Sequence, residues 1–239
     1  MSGHSKWATI HRKKGELDAQ RGKLFQKIAK EIYVAAKGTN GDPDSNPALR
    51  AVIEKARGNN MPKDNIQKAI DKSVGGQGGE DYEQIRYEGY ASGGVALMID
   101  CLTDNRNRTA MLVRSTLTKR GGNLGTDGSV SYLFARKGVI VIDKTIDEDT
   151  VMMTALDNGA EDVIVNDDNY EIYTTTDTFL KVKDALSNIG VNEFITSEIT
   201  FVANNLIELD SETTEKVLDL VSQLEDIDDV QNVYHNLSE

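Results

Sequence analysis

The sequence is poor in the residues on which several classes of protein depend. A single cysteine, Cys101, excludes an internal disulfide framework and any cysteine-based zinc finger, and it indicates a reducing setting. No apolar run approaches the roughly 20 residues that a membrane span needs, and the polar N-terminus is unlike a signal peptide. A hydrophobic fraction of 38% with only three prolines is typical of a folded chain. We therefore expect a soluble, cytoplasmic protein of two or three domains, without a membrane partner.

Groups that could carry catalysis are equally scarce. The three histidines are scattered, Cys101 has no partner base, and the carboxylates are spread through an acidic end, so no triad or acid–base pair is visible. His4 and His11 lack further ligands at a zinc spacing. Glycine-rich Gly121–Gly128 follows a predicted helix rather than opening one, which is unlike a nucleotide-binding loop. The sequence predicts a non-enzymatic protein with no metal, cofactor or small-molecule substrate.

Charge is divided unevenly along the chain. Residues 1–74 hold 15 basic and 8 acidic side chains, whereas residues 145–239 hold 3 basic and 23 acidic ones. The net charge of −12 therefore hides a basic N-terminal third. Such asymmetry indicates one end that faces a polyanion and one that repels it. The alternative is that the two ends attract each other, within one chain or between chains.

The basic third begins with a helix, predicted from Ala19 to Lys37. At about 100° per residue, its apolar residues Phe25, Ile28, Ile32, Ala35 and Ala36 gather on one side. The opposite side carries four lysines, here called the lysine face: Lys23, Lys27, Lys30 and Lys37. An ordinary solvated face is the alternative, but Glu31 is the only acid in the helix body, so few Glu–Lys pairs support the helix.

Two more helices complete a small bundle. Asn46-Pro47 supplies an N-cap and a first-turn proline, and Pro62 opens the third helix. The glycine-rich segment 75–79 then marks a flexible joint. We expect a basic helical domain over residues 1–76.

A basic tail precedes the bundle. It contains the only tryptophan beside a lysine, followed by a basic triplet: Lys6, Trp7, Arg12, Lys13 and Lys14. Aromatic side chains among cations can stack on bases while the cations neutralise phosphates. Trp7 could equally pack on the bundle.

The rest of the chain alternates strand and helix signals. Residues 138–203 spell βαββαβ, a ferredoxin-like unit. The elements on either side of it spell the same unit again. They are predicted strands at Val95–Cys101, Ser129–Phe134, Leu206–Leu209 and Val230–Tyr234 and predicted helices at Asn107–Arg120 and Glu212–Asp226. In the first of these helices Ala110, Met111, Val113 and Leu117 are expected to face a core. The fold class is thus α+β: an N-terminal three-helix bundle and two ferredoxin-like domains, one (80–134 plus 204–239) interrupted by the other, acidic one (135–203). Two sequential domains with exchanged terminal strands are the alternative.

A series of motifs in this order resembles the YebC family. The resembling segments include residues 2–7 and 11–14, residues 32–37 and 46–49, Tyr87–Tyr90, Thr103–Thr109, Gly121–Gly125 and Ser129–Phe134. The resemblance runs the whole length and weakens in the acidic end. It implies a helical domain and two α/β domains around a cleft. It also implies regulation of gene expression, either as a DNA-binding transcriptional regulator or as a translation factor that activates translation or relieves ribosome stalling.

We predict that nucleic acid, DNA or rRNA, is the partner. The main contact is expected from the tail residues Lys6, Trp7, Arg12, Lys13 and Lys14 together with Lys23, Lys27 and Lys30. A second contact is expected from Arg106, Arg108 and Arg114, two of which lie at a helix N-terminus that favours anions. These arginines could instead cap carbonyls, and Asp104 could pair with Arg106.

The type of basic residue bears on whether the target is DNA or rRNA. Lysines mainly position a protein on phosphates, and the lysine face lacks the Arg, Asn and Gln side chains with which a recognition helix contacts bases. The charge pattern therefore favours a ribosome-bound factor, and the family name favours a DNA regulator. A protein-interaction scaffold that uses the acidic end is the third alternative.

Overall fold

The computed structural model describes residues 17–75 and 81–238. The helices are α1 Leu17–Ala36, α2 Pro47–Gly58, α3 Lys63–Val74, α4 Arg106–Lys119, α5 Glu148–Asp157, α6 Phe179–Asn188 and α7 Ser211–Glu225. The strands are β1 Glu83–Tyr90, β2 Ala96–Thr103, β3 Asn123–Leu124, β4 Phe134–Asp143, β5 Ala160–Val165, β6 Asn169–Thr174, β7 Thr196–Ala203 and β8 Val230–His235.

Helices α1 to α3 pack around an apolar core of their own. Ile28, Ile32 and Leu49 are fully buried there. The Asn46 side chain accepts a hydrogen bond from the Leu49 amide at 3.1 Å, which confirms the predicted N-cap of α2. Helix α2 ends before Asn60, whose φ of 57° is the left-handed conformation that asparagine tolerates. Local sequence signals therefore explain this unit.

The first sheet takes its strands from two distant parts of the chain. Its order is β3-β1-β2-β8, with neighbouring strands antiparallel. Helices α4 and α7 pack on one face and bury Val113, Leu117 and Leu220 against the strands. Met111 lies on the outside of α4, 71% exposed, so its predicted place in the core was wrong.

Two predicted strands of this sheet are wrong. Over residues 129–134 the chain forms a short 3₁₀ turn, Ser131–Leu133, because the buried Glu88 carboxylate accepts the amides of Gly128, Val130 and Ser131 at 2.6–2.9 Å. Over residues 206–209 there is a single bridge, from Ile207 to Leu237. Strand β1 takes the place expected for that segment and pairs with β2 along eight residues.

The second sheet has the order β5-β6-β4-β7, which is the ferredoxin-like order for βαββαβ. Helices α5 and α6 bury Val151 and Leu186 against Ile140 and Ile172. All four strands lie between β3 and β8 in sequence, so the second unit interrupts the first. The α+β fold class is confirmed, while the domain bounds given above stay a prediction.

The two sheets meet through an apolar cluster that includes Met98 of β2, Phe134 of β4 and Ala203 of β7. Beside it, the Arg86 guanidinium pairs with both oxygens of Asp100 at 2.6 and 2.9 Å and lies 4.5 Å from the Phe201 ring centroid.

No described helix combines the length and the apolar character that a membrane span requires. Within residues 17–75 and 81–238 there is no group of three or more His, Cys, Asp or Glu side chains that could hold a metal ion.

Candidate nucleic-acid interface

Three residues of the lysine face contact one short segment of the same chain. This segment runs from Glu225, the last residue of α7, to Asp229, just before β8, and is called the acidic turn below. Lys23 pairs with the Asp226 carboxylate at 3.0 Å. Lys27 donates to the Glu225 carbonyl oxygen at 2.8 Å, and Lys30 donates to the Asp228 carbonyl oxygen at 2.9 Å. The basic and acidic ends of the chain therefore meet, as the alternative reading of the charge asymmetry expected.

Lys27 is the least favourably placed of these lysines. Burial lowers the pKa of its ammonium group, and the nearby acids Glu225 and Asp226 offset that effect only in part. Its hydrogen-bond acceptor is a neutral carbonyl rather than a carboxylate. A partly buried cation without a directly paired anion costs free energy of folding, so packing alone does not explain a lysine at this position.

Asp229 links the two groups of predicted contact residues. Its carboxylate is almost fully buried and accepts hydrogen bonds from Lys30 of α1 at 3.2 Å and from Arg108 of α4 at 2.8 Å. The hydroxyls of Thr103 and Thr109 also donate to it, at 3.2 and 2.8 Å. Burial alone would raise the pKa of Asp229, but hydrogen bonds from Arg108, Thr109 and Lys30 outweigh burial and hold this pKa below its usual value.

The three arginines of α4 have different surroundings. Arg108 donates to Asp104 at 2.7 Å as well as to Asp229, and these hydrogen bonds raise its pKa. The predicted pairing of Asp104 with Arg106 is therefore wrong, since the partner is Arg108, four residues on. Arg106 and Arg114 are exposed, and among the described residues neither guanidinium has a hydrogen-bond or ion-pair partner.

A cleft of about 510 Å³ lies where α1, α4 and the acidic turn meet. Lys30 and Arg108 line it, together with Tyr82 and Asp228. The Tyr82 ring packs edge-on against Tyr33 of α1, at 5.6 Å between centroids. Among the described residues, Tyr82 and the acidic turn thus help to attach the helical unit to the first α/β unit.

The remaining predicted contacts lie outside the described residues. These are the tail residues Lys6, Trp7, Arg12, Lys13 and Lys14. Most of the glycine-rich joint, which was not predicted as a contact, also lies outside the described residues. Within the described part, Lys23, Lys27, Lys30 and Arg108 come together, whereas Arg106 and Arg114 do not reach the acidic turn. Lys37, the fourth residue of the lysine face, pairs with Asp81 instead.

Sequence reasoning missed Asp229 as the meeting point. In the sequence it is one of several acids around the end of α7, and nothing local separates it from its exposed neighbours Asp226 and Asp228. Its burial follows from the first sheet, where the Asp229 carbonyl accepts the Leu102 amide at 2.8 Å and so fixes the start of β8 beside β2. Thr103 follows Leu102 at the end of β2 and belongs to the segment Thr103–Thr109 that resembles the YebC family. Its hydroxyl is the one sequence signal that could have indicated a hydrogen-bond partner for Asp229.

These features define an α+β protein of three structural units, in which cations from a helical unit and an α/β unit share one buried carboxylate. Two family models match the sequence of this chain. Residues 5–76 match the TACO1/YebC protein N-terminal domain, and residues 82–237 match the TACO1/YebC second and third domain. The chain belongs to the TACO1/YebC family.

Individual relatives agree over the full length. A probable transcriptional regulatory protein of Geobacillus kaustophilus is 54% identical over 100% of this chain and 98% of its own. One of Geobacter sulfurreducens is 51% identical over 99% of this chain and 95% of its own. A crystal structure of a conserved hypothetical protein from Aquifex aeolicus superposes with a TM-score of 0.82, at 46% identity, covering 98% of this chain and 96% of that one.

Proposed function

We propose that this protein is a cytoplasmic, non-enzymatic regulator of gene expression that acts by binding nucleic acid. One observation carries the proposal: the ammonium groups of Lys23, Lys27 and Lys30 converge on a row of oxygen atoms, at 2.8–3.2 Å. A sugar–phosphate backbone presents such a row of oxygens with a full negative charge on each phosphate. The printed names of the relatives, probable transcriptional regulatory proteins, support a regulatory role.

In this proposal the acidic turn occupies the lysine face until nucleic acid replaces it. Lys23 and Asp226 are both about half exposed, so their ion pair is weak and open to competition. Lys27 gains an anionic partner when a phosphate replaces the Glu225 carbonyl oxygen. In the proposal, the tail residues Lys13 and Lys14 add further cations for the nucleic acid.

The competition has a direct test. The variant Asp226→Asn/Asp228→Asn is expected to bind nucleic acid about threefold to tenfold more tightly than the parent, because the turn then competes less well for the lysines. The control, Asp167→Asn/Asp168→Asn, removes the same charge from an exposed turn of the second sheet. Binding is measured by fluorescence anisotropy over a salt series, with an expected log–log slope of about −0.7 to −0.9 per phosphate neutralised. An equal gain in affinity in both double variants would show that net charge alone causes the change, and this result would contradict competition by the acidic turn.

A second prediction separates function from stability at Lys27. Replacing it with methionine is expected to leave the free energy of unfolding unchanged or to raise it by up to about 1 kcal/mol, because the cost of burying the cation disappears. The same change should weaken nucleic-acid binding by about threefold to tenfold, since one phosphate partner is lost. Lys27→Arg keeps the charge and serves as the control in thermal unfolding and binding assays. A marked loss of stability in Lys27→Met would instead make this lysine a structural residue.

Translation is the second candidate level of action, and the charge division favours it. A basic helical unit can enter ribosomal RNA while an acidic remainder, with 3 basic and 23 acidic side chains over residues 145–239, resists further contact. Sucrose-gradient fractionation of a cell lysate at low and moderate salt tests this candidate. Salt-sensitive migration with ribosomes would support a translation factor. Migration at the top of the gradient, with purified protein shifting promoter DNA above random DNA, would support a transcriptional regulator.

A further inference from the structure

Helix α4 differs in charge from the helix packed beside it. Its 14 residues include four cations, Arg106, Arg108, Arg114 and Lys119, and no carboxylate. Its neighbour α7 carries Glu212, Glu215, Asp219 and Glu225 against the single cation Lys216. A helix whose charged residues are all cations is not explained by intrahelical ion pairs, since α4 offers none.

One face of α4 carries a stripe of exposed side chains. Asn107, Met111, Arg114 and Thr118 follow the i, i+4, i+7, i+11 spacing and fall within an arc of about 60°. All four are exposed, and the Met111 side chain is 71% exposed. These four residues are called the α4 stripe below. Arg106, in the first turn, lies about 80° outside the arc and has a second guanidinium without a hydrogen-bond or ion-pair partner among the described residues.

The α4 stripe faces away from α7 and the acidic turn. On the other side of α4, Thr109 hydrogen-bonds Asp229, and Arg120 just beyond the helix pairs with Asp219 of α7. By helical geometry Thr109 lies about 140° or more from the stripe. The carboxylates of α7 and of the acidic turn therefore lie on the opposite side of α4 and leave the stripe cationic.

We infer that the α4 stripe is a second nucleic-acid site, one that takes unpaired nucleotides rather than a duplex. The inference rests on the proposed function and names the ligand class that this surface fits. Packed helices lie about 8–10 Å apart, whereas the major groove of B-DNA is about 12 Å wide and holds one helix. Docking α4 into that groove would place α7 over a phosphate strand, where exposed Glu212, Glu215 and Asp219 would repel it. A single strand can follow the stripe along the far side of α4 and avoid them.

The side chains of the stripe match the parts of an unpaired nucleotide. The guanidinium group of Arg114, and that of Arg106 beside the stripe, can pair with phosphates or stack on bases. Met111 offers an exposed apolar surface to a base face, and the Asn107 amide can both donate to and accept from a base edge. The lysine face, by contrast, contains only ammonium groups, which contact phosphate without reading bases.

Two substitutions and a matched control test the site in the full chain. Arg114→Ala is expected to weaken binding of a fluorescein-labelled single strand of about 16 nucleotides by roughly tenfold, and Met111→Ala by roughly fivefold without a change in salt dependence. Lys119→Ala removes the same charge from the same helix but lies outside the stripe, and it should weaken binding less than about twofold. The parent chain should bind the single strand more tightly than a duplex of the same sequence.

The outcomes separate this inference from the proposed function. Three results would overturn the α4 site while leaving nucleic-acid binding intact. They are equal losses of affinity in Arg114→Ala and Lys119→Ala, unaltered affinity in Met111→Ala, and tighter binding of the duplex than of the single strand by the parent chain. Absence of binding by the parent chain to both probes would overturn the proposed function itself. Because all three residues are exposed on α4, their replacement should leave thermal unfolding unchanged, and a circular dichroism melt of each variant checks this point.

Discussion

Replacing Asp229 with alanine is expected to destabilise the first α/β unit more than any other single change at the interface. Its carboxylate neutralises Lys30 and Arg108 and accepts two threonine hydroxyls while almost fully buried. Removing one partner of such a buried network leaves the others without compensation, which costs about 3–5 kcal/mol. The change should also loosen the helical unit, because Lys30 then loses its carboxylate partner.

The ionisation of Asp229 gives this prediction a pH dependence. A carboxylate whose pKa is lower in the folded than in the unfolded chain stabilises the fold above the unfolded value, near about 4, and loses that contribution as pH falls through the folded value. The parent chain should therefore lose stability below about pH 4 more steeply than Asp229→Asn. At neutral pH, Asp229→Asn should be less stable than the parent.

Differential scanning calorimetry and urea unfolding check both statements. The control is Asp226→Ala, which removes an equal charge from the same turn at a half-exposed position and should change stability by less than about 1 kcal/mol. Equal, small effects of Asp229→Ala and Asp226→Ala would show that the buried network contributes little. The account of how the helical unit attaches to the first sheet would then fail.

Charge reversal across the tail and α1 should have the largest effect on binding. In Lys13→Glu/Lys14→Glu/Lys23→Glu, three phosphate contacts become repulsive, and affinity at about 100 mM salt should fall at least about a hundredfold. Lys23 is suited to this change because its side chain is half exposed and pairs only with Asp226 among the described residues. The fold should therefore persist.

The helical unit offers a matched control for this reversal. Arg57 on α2, Lys63 at the start of α3 and Lys68 within α3 are exposed and lie outside the lysine face. Reversing all three to glutamate changes net charge by the same amount, so non-specific attraction falls equally in both variants. A similar loss of affinity in the control would show that overall charge, rather than the lysine face and tail, determines binding. Anisotropy titrations of both variants, with circular dichroism to verify folding, make the comparison.

Local signals predicted the helical unit and the second sheet well. Asn46 before Pro47 marks the start of α2, and Gly159 and Gly190, both with φ near 100°, follow the ends of α5 and α6. Each of these signals acts within a few residues, so a single sequence displays it. The βαββαβ order of the second unit follows from such signals in series.

The first sheet was predicted less accurately because long-range contacts decide it. Glu88 accepts amides some 40 residues away and turns a strand-like segment into a 3₁₀ turn. Strand β1 pairs along the full length of β2 and excludes residues 206–209 from that position. Met111 fits an apolar helix pattern, yet it lies outside because the buried face of α4 is formed by Thr109, Val113 and Leu117.

The candidate site shows the same division between local and distant information. The lysine face could be read from helical periodicity, since ammonium groups at i, i+4 and i+7 share one side. Its contact with the acidic turn depends on a sequence separation of about 200 residues, which no periodic pattern encodes. Charge asymmetry indicated only that two partners competed for the basic end, the chain itself and an external polyanion.

Ultraviolet cross-linking in living cells, followed by mass spectrometry of the purified protein, tests nucleic-acid binding most directly. Cross-linked nucleotides are expected on peptides from the tail and α1 and from α4, with a strong reduction in Lys13→Glu/Lys14→Glu/Lys23→Glu. Digestion with ribonuclease or deoxyribonuclease before analysis identifies the nucleic acid. Cross-linking no greater than in the charge-reversed variant, or confined to the acidic second sheet, would contradict the account.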